Sequence, residues 1–278
     1  MKTPPAGTRK APLRAALSMP APSPLWLATA AAWLKRFTAR HFTALRMAAD
    51  GQPPALDRPT IFYCNHPGWW DPIVLILLIR SHYPDWRFHG PIDAAALRRY
   101  PSLARLGLFG IEPDSARGAR RLLAAGDALL DSGRNGLVVT AQGAFSDVRR
   151  RPLDLRRGLS RLLARHANAV AHPIAIEYVF WNERLPEILV RFGRTPIAAG
   201  DDTPEAIESR LESALTAELD ALAAAAMARD DSAFVTLVEG QRGIGPVADL
   251  PQRLGAWLRG RRFDPAHAAV GRDADSLR

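Results

Sequence analysis

Thr60-Ile61-Phe62-Tyr63-Cys64-Asn65-His66-Pro67-Gly68-Trp69-Trp70-Asp71-Pro72 is the stretch on which the fold turns. Residues 60–64 are mostly β-branched and aromatic and have strand character. Residues 72–80 read as an apolar helix, and Pro67-Gly68 supplies a turn between the two. A strand that passes through a short turn into a helix is a building unit of an α/β sheet.

The same alternation continues along the chain. Further strands are expected at 87–90, 108–111, 136–140, 170–180 and 188–192. Helices are expected at 94–106, 115–131, 158–166 and 204–227. Strands alternating with helices give an α/β fold with a central, mostly parallel sheet flanked by helices. Residues 1–24 carry six prolines and read as a disordered basic arm. Residues 25–50 read as an amphipathic helix, with Trp26, Trp33, Phe37, Phe42 and Leu45 set among Lys35, Arg36, Arg40 and Arg46. Such a helix either lies in a membrane interface or packs its aromatics on the domain. The sheet domain is placed at 55–228. Residues 229–278 form a C-terminal extension of unassigned role, in which 232–238 fits either a helix or a strand.

Charge is concentrated at the start. Residues 1–60 hold nine Lys or Arg against Asp50 and Asp57, so +7 of the formal +9 lies there. That arm suits an anionic surface. Nucleic acid is not expected as a partner, because no reading motif is present and the rest of the chain is nearly neutral. The single cysteine, Cys64, excludes an intrachain disulfide. No uninterrupted apolar run reaches about 20 residues, so no transmembrane helix is expected. The scarcity of lysine beside abundant arginine and alanine points to a GC-rich bacterial source.

His66 and Asp71 stand five residues apart. On one continuous helix they would lie about 140° from each other. The Pro67-Gly68 turn instead lets the imidazole fold back on the carboxylate at the helix start. A carboxylate that accepts one imidazole N–H fixes the tautomer and leaves the other nitrogen free to take a proton. The carboxyl end of a strand in an open α/β sheet is where such groups gather. Cys64, two residues earlier, reads as packing. His82, His89, His166 and His172 lack metal-ligand spacing, so neither a metal nor a resident cofactor is expected.

Asn65, His66 and Asp71 match the Asn-His-x-x-x-x-Asp signature of the glycerolipid acyltransferases, the lysophosphatidic-acid acyltransferase-like family, and the chain resembles that family over about 60–200. Pro101 with residues 103–111 resembles its second block. Gln142-Gly143 with Ser146 resembles its Glu-Gly-x-x-Ser block, Arg157-Gly158 the Arg-Gly that follows, and Pro173-Ile174-Ala175-Ile176 the last block. The resemblance implies a fatty acyl group moving from a thioester on coenzyme A or acyl carrier protein to a hydroxyl or amine of a lipid-like acceptor. His66 is then the general base and Asp71 its orienter. Asn65, Gln142, Gly143, Ser146 and Arg157 are expected around the substrates. The implied setting is the cytoplasmic face of a membrane, as a peripheral protein.

The departures bear on the acceptor. Pro113 beside Glu112 stands where the family has an arginine, Gln142-Gly143-Ala144-Phe145-Ser146 replaces Glu-Gly-Thr-Arg-Ser, and Ala94-Ala95-Ala96 replaces basic residues. In the family those arginines are thought to grip a phosphate, a task suited to a guanidinium. Their loss argues against lysophosphatidate as acceptor. An alternative is that the grip has moved to Arg149, Arg150 and Arg151. The competing functional classes are a thioesterase-like hydrolase using the same His/Asp pair and a non-catalytic lipid-binding homologue.

Overall fold

The computed structural model describes residues 22–131, 133–198, 200, 202–243 and 250–260 of the 278-residue chain. All but the end of the expected N-terminal arm lies outside the described residues.

The fold is α/β, with a nine-stranded, mostly parallel sheet flanked by helices. Its strands are β1 (Ala44–Ala48), β2 (Thr60–Cys64), β3 (Arg87–Asp93), β4 (Leu108–Ile111), β5 (Asn135–Thr140), β6 (Val170–Val179), β7 (Glu187–Phe192), β8 (Ile197–Ala198) and β9 (Phe234–Glu239). They lie in the order β4-β3-β5-β2-β6-β7-β1-β9, with β8 pairing to β6. Strands β4, β3, β5, β2 and β6 run parallel, so their carboxyl ends line one edge. In register, Cys64 is level with Thr140 on β5 and Ile174 on β6.

The helices are α1 (Pro24–His41), α2 (Asp71–His82), α3 (Ala94–Arg99), α4 (Ala116–Leu130), α5 (Gly158–Leu163), α6 (Pro204–Ala228) and α7 (Leu250–Leu258). Every residue of β2 is buried. Ile61 and Tyr63 enter a core shared with α4, α5 and α6, whereas Phe62 and Cys64 enter a second core under α2 and α1. A strand covered on both faces needs an unbroken apolar run, which is what residues 60–64 supply.

Three boundaries differ from the sequence reading. The amphipathic helix ends at His41, and residues 44–48 form a buried strand rather than continuing the helix. Ala, Leu, Arg and Met favour a helix by propensity, but tertiary partners override it. Thr43 donates from its backbone N to the Pro186 carbonyl and from its hydroxyl to the Leu185 carbonyl at 2.9 Å, and Arg46 pairs with buried Glu187. Second, β9 pairs antiparallel with β1, so a domain boundary at 228 would cut the sheet. The helix expected at 94–106 breaks at Pro101 into α3 and a 3-10 turn, since proline has no N–H to continue the ladder.

Candidate active site

The main chain leaves β2 through Asn65, which is 1% exposed. Its side-chain Nδ2 donates to the Ile176 carbonyl at 2.8 Å, and its Oδ1 accepts from the Ile176 N–H at 2.9 Å. A side-chain amide thus closes the ladder with β6 while the backbone turns away. His66 follows. Its backbone N–H donates to Gln142 Oε1 at 2.8 Å, and its carbonyl accepts from the Ser146 N–H at 2.9 Å.

His66 Nδ1 lies 2.5 Å from Asp71 Oδ2, and the carboxylate also accepts the Gly68 N–H at 3.1 Å. Asp71 is fully buried at the first turn of α2, while the imidazole is 17% exposed. With Nδ1–H donated to Asp71, Nε2 keeps its lone pair, and it has no hydrogen-bond partner among the described residues. The Phe145 ring, largely exposed, lies 4.5 Å from the imidazole between centroids. Tyr178 donates its hydroxyl to the other carboxylate oxygen, Asp71 Oδ1, at 2.5 Å.

Cys64 lies beneath this pair, fully buried. Burial, with the negative charge of Asp71 added, pushes its thiol well above the usual range. A thiol held protonated in this way is no nucleophile.

The other residues expected around the substrates divide into two groups. Gln142 is buried, and both ends of its amide are committed: Oε1 to His66, and Nε2 to the Leu153 carbonyl at 3.0 Å. A carboxylate could not make the second bond, which explains glutamine at this position. Gly143 has φ +67°, and a Cβ there would meet Arg156 Cγ at 3.0 Å. Ser146 follows in the same loop, with a buried hydroxyl that lacks a partner. Asn65, Gln142, Gly143 and Ser146 therefore sit at or beside His66.

The arginines do not gather there. Arg149 donates two guanidinium hydrogen bonds and its backbone N–H to Asp147, and those hydrogen bonds, with its charge adding a little, keep that carboxyl far below its ordinary value. Arg150 pairs with Asp154 at 2.8 Å and Arg151 with Asp220 at 2.7 Å, while Arg157 faces Glu208 at 3.9 Å. Sequence reasoning placed Ile176 in the last family block without its bond to Asn65, and it missed Leu153 and Tyr178, the latter 107 residues from Asp71. A tyrosine near the end of an apolar strand was the available signal, because a buried phenol needs a partner.

Two depressions adjoin the carboxyl edge of the sheet. An apolar cleft of about 330 Å³ runs between α1, α2, β3 and β5, lined by Leu27, Leu75, Ile79, Phe88, Val138 and Thr140. Pro72 also lines it, next in the chain to Asp71, and Thr140 is level with Cys64. The cleft thus comes near the His66 turn at Pro72 and Thr140, although no residue of the turn itself lines it. A second hollow, of about 510 Å³, lies beyond β4 and is lined by Arg98, Arg117, Arg121 and Glu112. Three strand spacings separate β4 from β2, roughly 14 Å.

No protein-family model matches the chain, and no curated protein matches it in sequence. Among solved structures it is similar to the 1-acyl-sn-glycerophosphate (LPA) acyltransferase PlsC from Thermotoga maritima. That likeness has a TM-score of 0.42 and 14% sequence identity, and it covers 70% of this chain and 77% of that one.

Proposed function

We propose that the chain is an acyltransferase that moves a fatty acyl group from a coenzyme A or acyl-carrier-protein thioester to a hydroxyl or amine of a lipid-like acceptor. The observation that carries this reading is the buried Asp71 carboxylate on Nδ1 of His66, which leaves Nε2 without a partner among the described residues on a partly exposed ring, with a cleft lined in part by Pro72, the neighbour of Asp71. Nε2 takes the acceptor proton as the acceptor oxygen or nitrogen attacks the thioester carbonyl. The C–S bond then breaks, and the leaving thiolate recovers that proton. General-base assistance of this kind contributes typically 10²–10⁴-fold in rate, and positioning of two bound reactants contributes more. The acyl chain occupies the cleft.

The proposed setting is an anionic membrane surface on the cytoplasmic side, with the protein bound peripherally. On α1, Leu25 and Trp33 are largely exposed beside exposed Lys35, Arg36 and Arg40, whereas Leu34 and Thr38 are buried. Phe37 packs on Trp70 at 5.1 Å, which ties the helix to the His66 turn. One helix thus presents aromatics and cations outward and lines the cleft with Leu27. No described helix is long and apolar enough to cross a membrane.

For the acceptor, the missing family arginines argue against lysophosphatidate, and Arg149–Arg151 do not replace them because each already holds a carboxylate. One observation favours an anionic head group all the same. On the same edge as His66, Arg98, Arg117 and Arg121 line a hollow whose one acidic lining residue, Glu112, pairs with Arg117 at 3.4 Å, so Arg98 and Arg121 are the cations placed to meet an anion there. Purified full-length protein, an acyl thioester and vesicles carrying a panel of acceptors test the whole reading. Thiol release that depends on an acceptor, with an acylated lipid product, is expected. Equal thiol release without any acceptor would make the protein a hydrolase.

A further inference from the structure

A general base is only as well placed as its orienting carboxylate, and Asp71 is held from two sides. Oδ2 takes the His66 ring and the Gly68 N–H, and Oδ1 takes the Tyr178 hydroxyl. Tyr178 comes from β6, two residues past Ile176, which receives the Asn65 amide. The strand that closes the ladder beside His66 therefore also reaches over the carboxylate. The Tyr178 ring lies near Gly68, where an added Cβ would sit 3.6 Å from Cε2, and 6.0 Å from the Phe42 ring between centroids.

From this geometry we infer that Tyr178 is a positioning residue, which locks the rotamer of Asp71 and sets how strongly that carboxylate holds a protonated His66. The inference rests on reading His66 as the general base. Three ionisable groups face Asp71 among the described residues: His66 from the turn, Cys64 from β2 and Tyr178 from β6. From α1, His41 packs against Trp70 at 5.3 Å, one residue from the carboxylate. Burial and then the charge of Asp71 push the Tyr178 hydroxyl far up, and the Cys64 thiol moves the same way. Both stay protonated, so Tyr178 acts only as a donor.

The sign of the effect follows. A phenol donating to Oδ1 draws charge from the carboxylate and weakens its hold on an imidazolium. In Tyr178→Phe that charge returns, and His66 binds a proton more readily. The acid limb of kcat/KM against pH should move to higher pH in this variant. A side chain that merely fills space would change stability or kcat without moving this limb.

The test titrates the full-length protein with isotope-labelled histidine by NMR, assigning His66 from the signal lost in His66→Gln. In Tyr178→Phe the His66 titration should shift to higher pH while His82 and His166 stay where they are. An unchanged His66 titration in the folded variant would overturn the inference. Tyr178→Leu serves as a second variant and should shift His66 in the same direction; a Tyr178→Leu protein that titrates like the wild type would likewise overturn it. This readout needs no substrate. Absence of acyl transfer in the wild type would refute the proposed function, whereas the titration alone decides the part played by Tyr178.

Discussion

Asn65 and Ile176 are joined by a reciprocal pair of hydrogen bonds, side-chain amide to backbone, at 2.8 and 2.9 Å. The pair stands where β2 would have continued, so His66 leaves the sheet at a fixed point with its neighbour still laddered to β6. Asn65→Ala leaves a buried N–H and C=O of Ile176 without partners. A loss of about 2 kcal/mol or more is expected. Urea denaturation measures it, and kcat should fall with it because the His66 turn loosens. Asn65→Ala with wild-type stability would show that the amide is not what closes the strand.

Gln142→Glu restores the residue usual in the resembled family, yet here it should be harmful. The new carboxylate can still accept from the His66 N–H but cannot donate to the Leu153 carbonyl unless it is protonated. The folded state therefore favours the protonated acid and raises its proton affinity above the unfolded value of about 4.3. A raised carboxyl value means stability is present at low pH and lost as pH rises through the folded value. The variant should be less stable than wild type by about 1–3 kcal/mol at pH 8, with a smaller deficit near pH 5. Thermal melts across that range check the slope, and a deficit that grows on acidification would contradict it.

Much of the central sheet was legible in the sequence because residues 60–64 and 136–140 are apolar runs bounded by turn residues, and β-propensity and burial agree there. Residues 44–48 were misread because Ala-Leu-Arg-Met-Ala has helical propensity; Glu187, Thr236 and Asp231, all far away in the chain, make Arg46 at home in a buried strand. The same distance hid Tyr178. Adjacency in sequence showed His66 and Asp71, since a five-residue turn brings them together, whereas β6 reaches that turn only through sheet register. The arginine-rich run after Val148 misled differently: its charge was visible, but not that the flanking Asp147 and Asp154 would fold onto it or that α6 would bring Asp220 to Arg151.

Two arginine pairs should behave differently. Arg98→Ala with Arg121→Ala removes two guanidinium groups from the hollow beyond β4, and KM for an anionic acceptor should rise by about tenfold with little change in kcat. Arg149→Ala with Arg150→Ala breaks two exposed ion pairs, which water and salt screen, and KM should hold within about twofold. Steady-state kinetics on one acceptor compare them, and the opposite ranking would move the anion site to the loop.

Leu25→Glu with Trp33→Glu places charge on the outer face of α1 without touching buried Leu34 or Thr38. Flotation with anionic vesicles should drop several-fold, and the remaining binding should become more sensitive to salt. Turnover of a detergent-dispersed substrate should stay near wild type. Undiminished flotation would remove α1 from the membrane contact.

The most direct measurement is single-turnover acyl transfer by His66→Ala and Asp71→Asn beside the wild type, with thioester loss and acylated acceptor followed together. His66→Ala should slow transfer by about 10²–10⁴-fold without a comparable loss of stability, and Asp71→Asn should be impaired in the same step. A folded His66→Ala protein that transfers the acyl group at the wild-type rate would contradict the account at its centre.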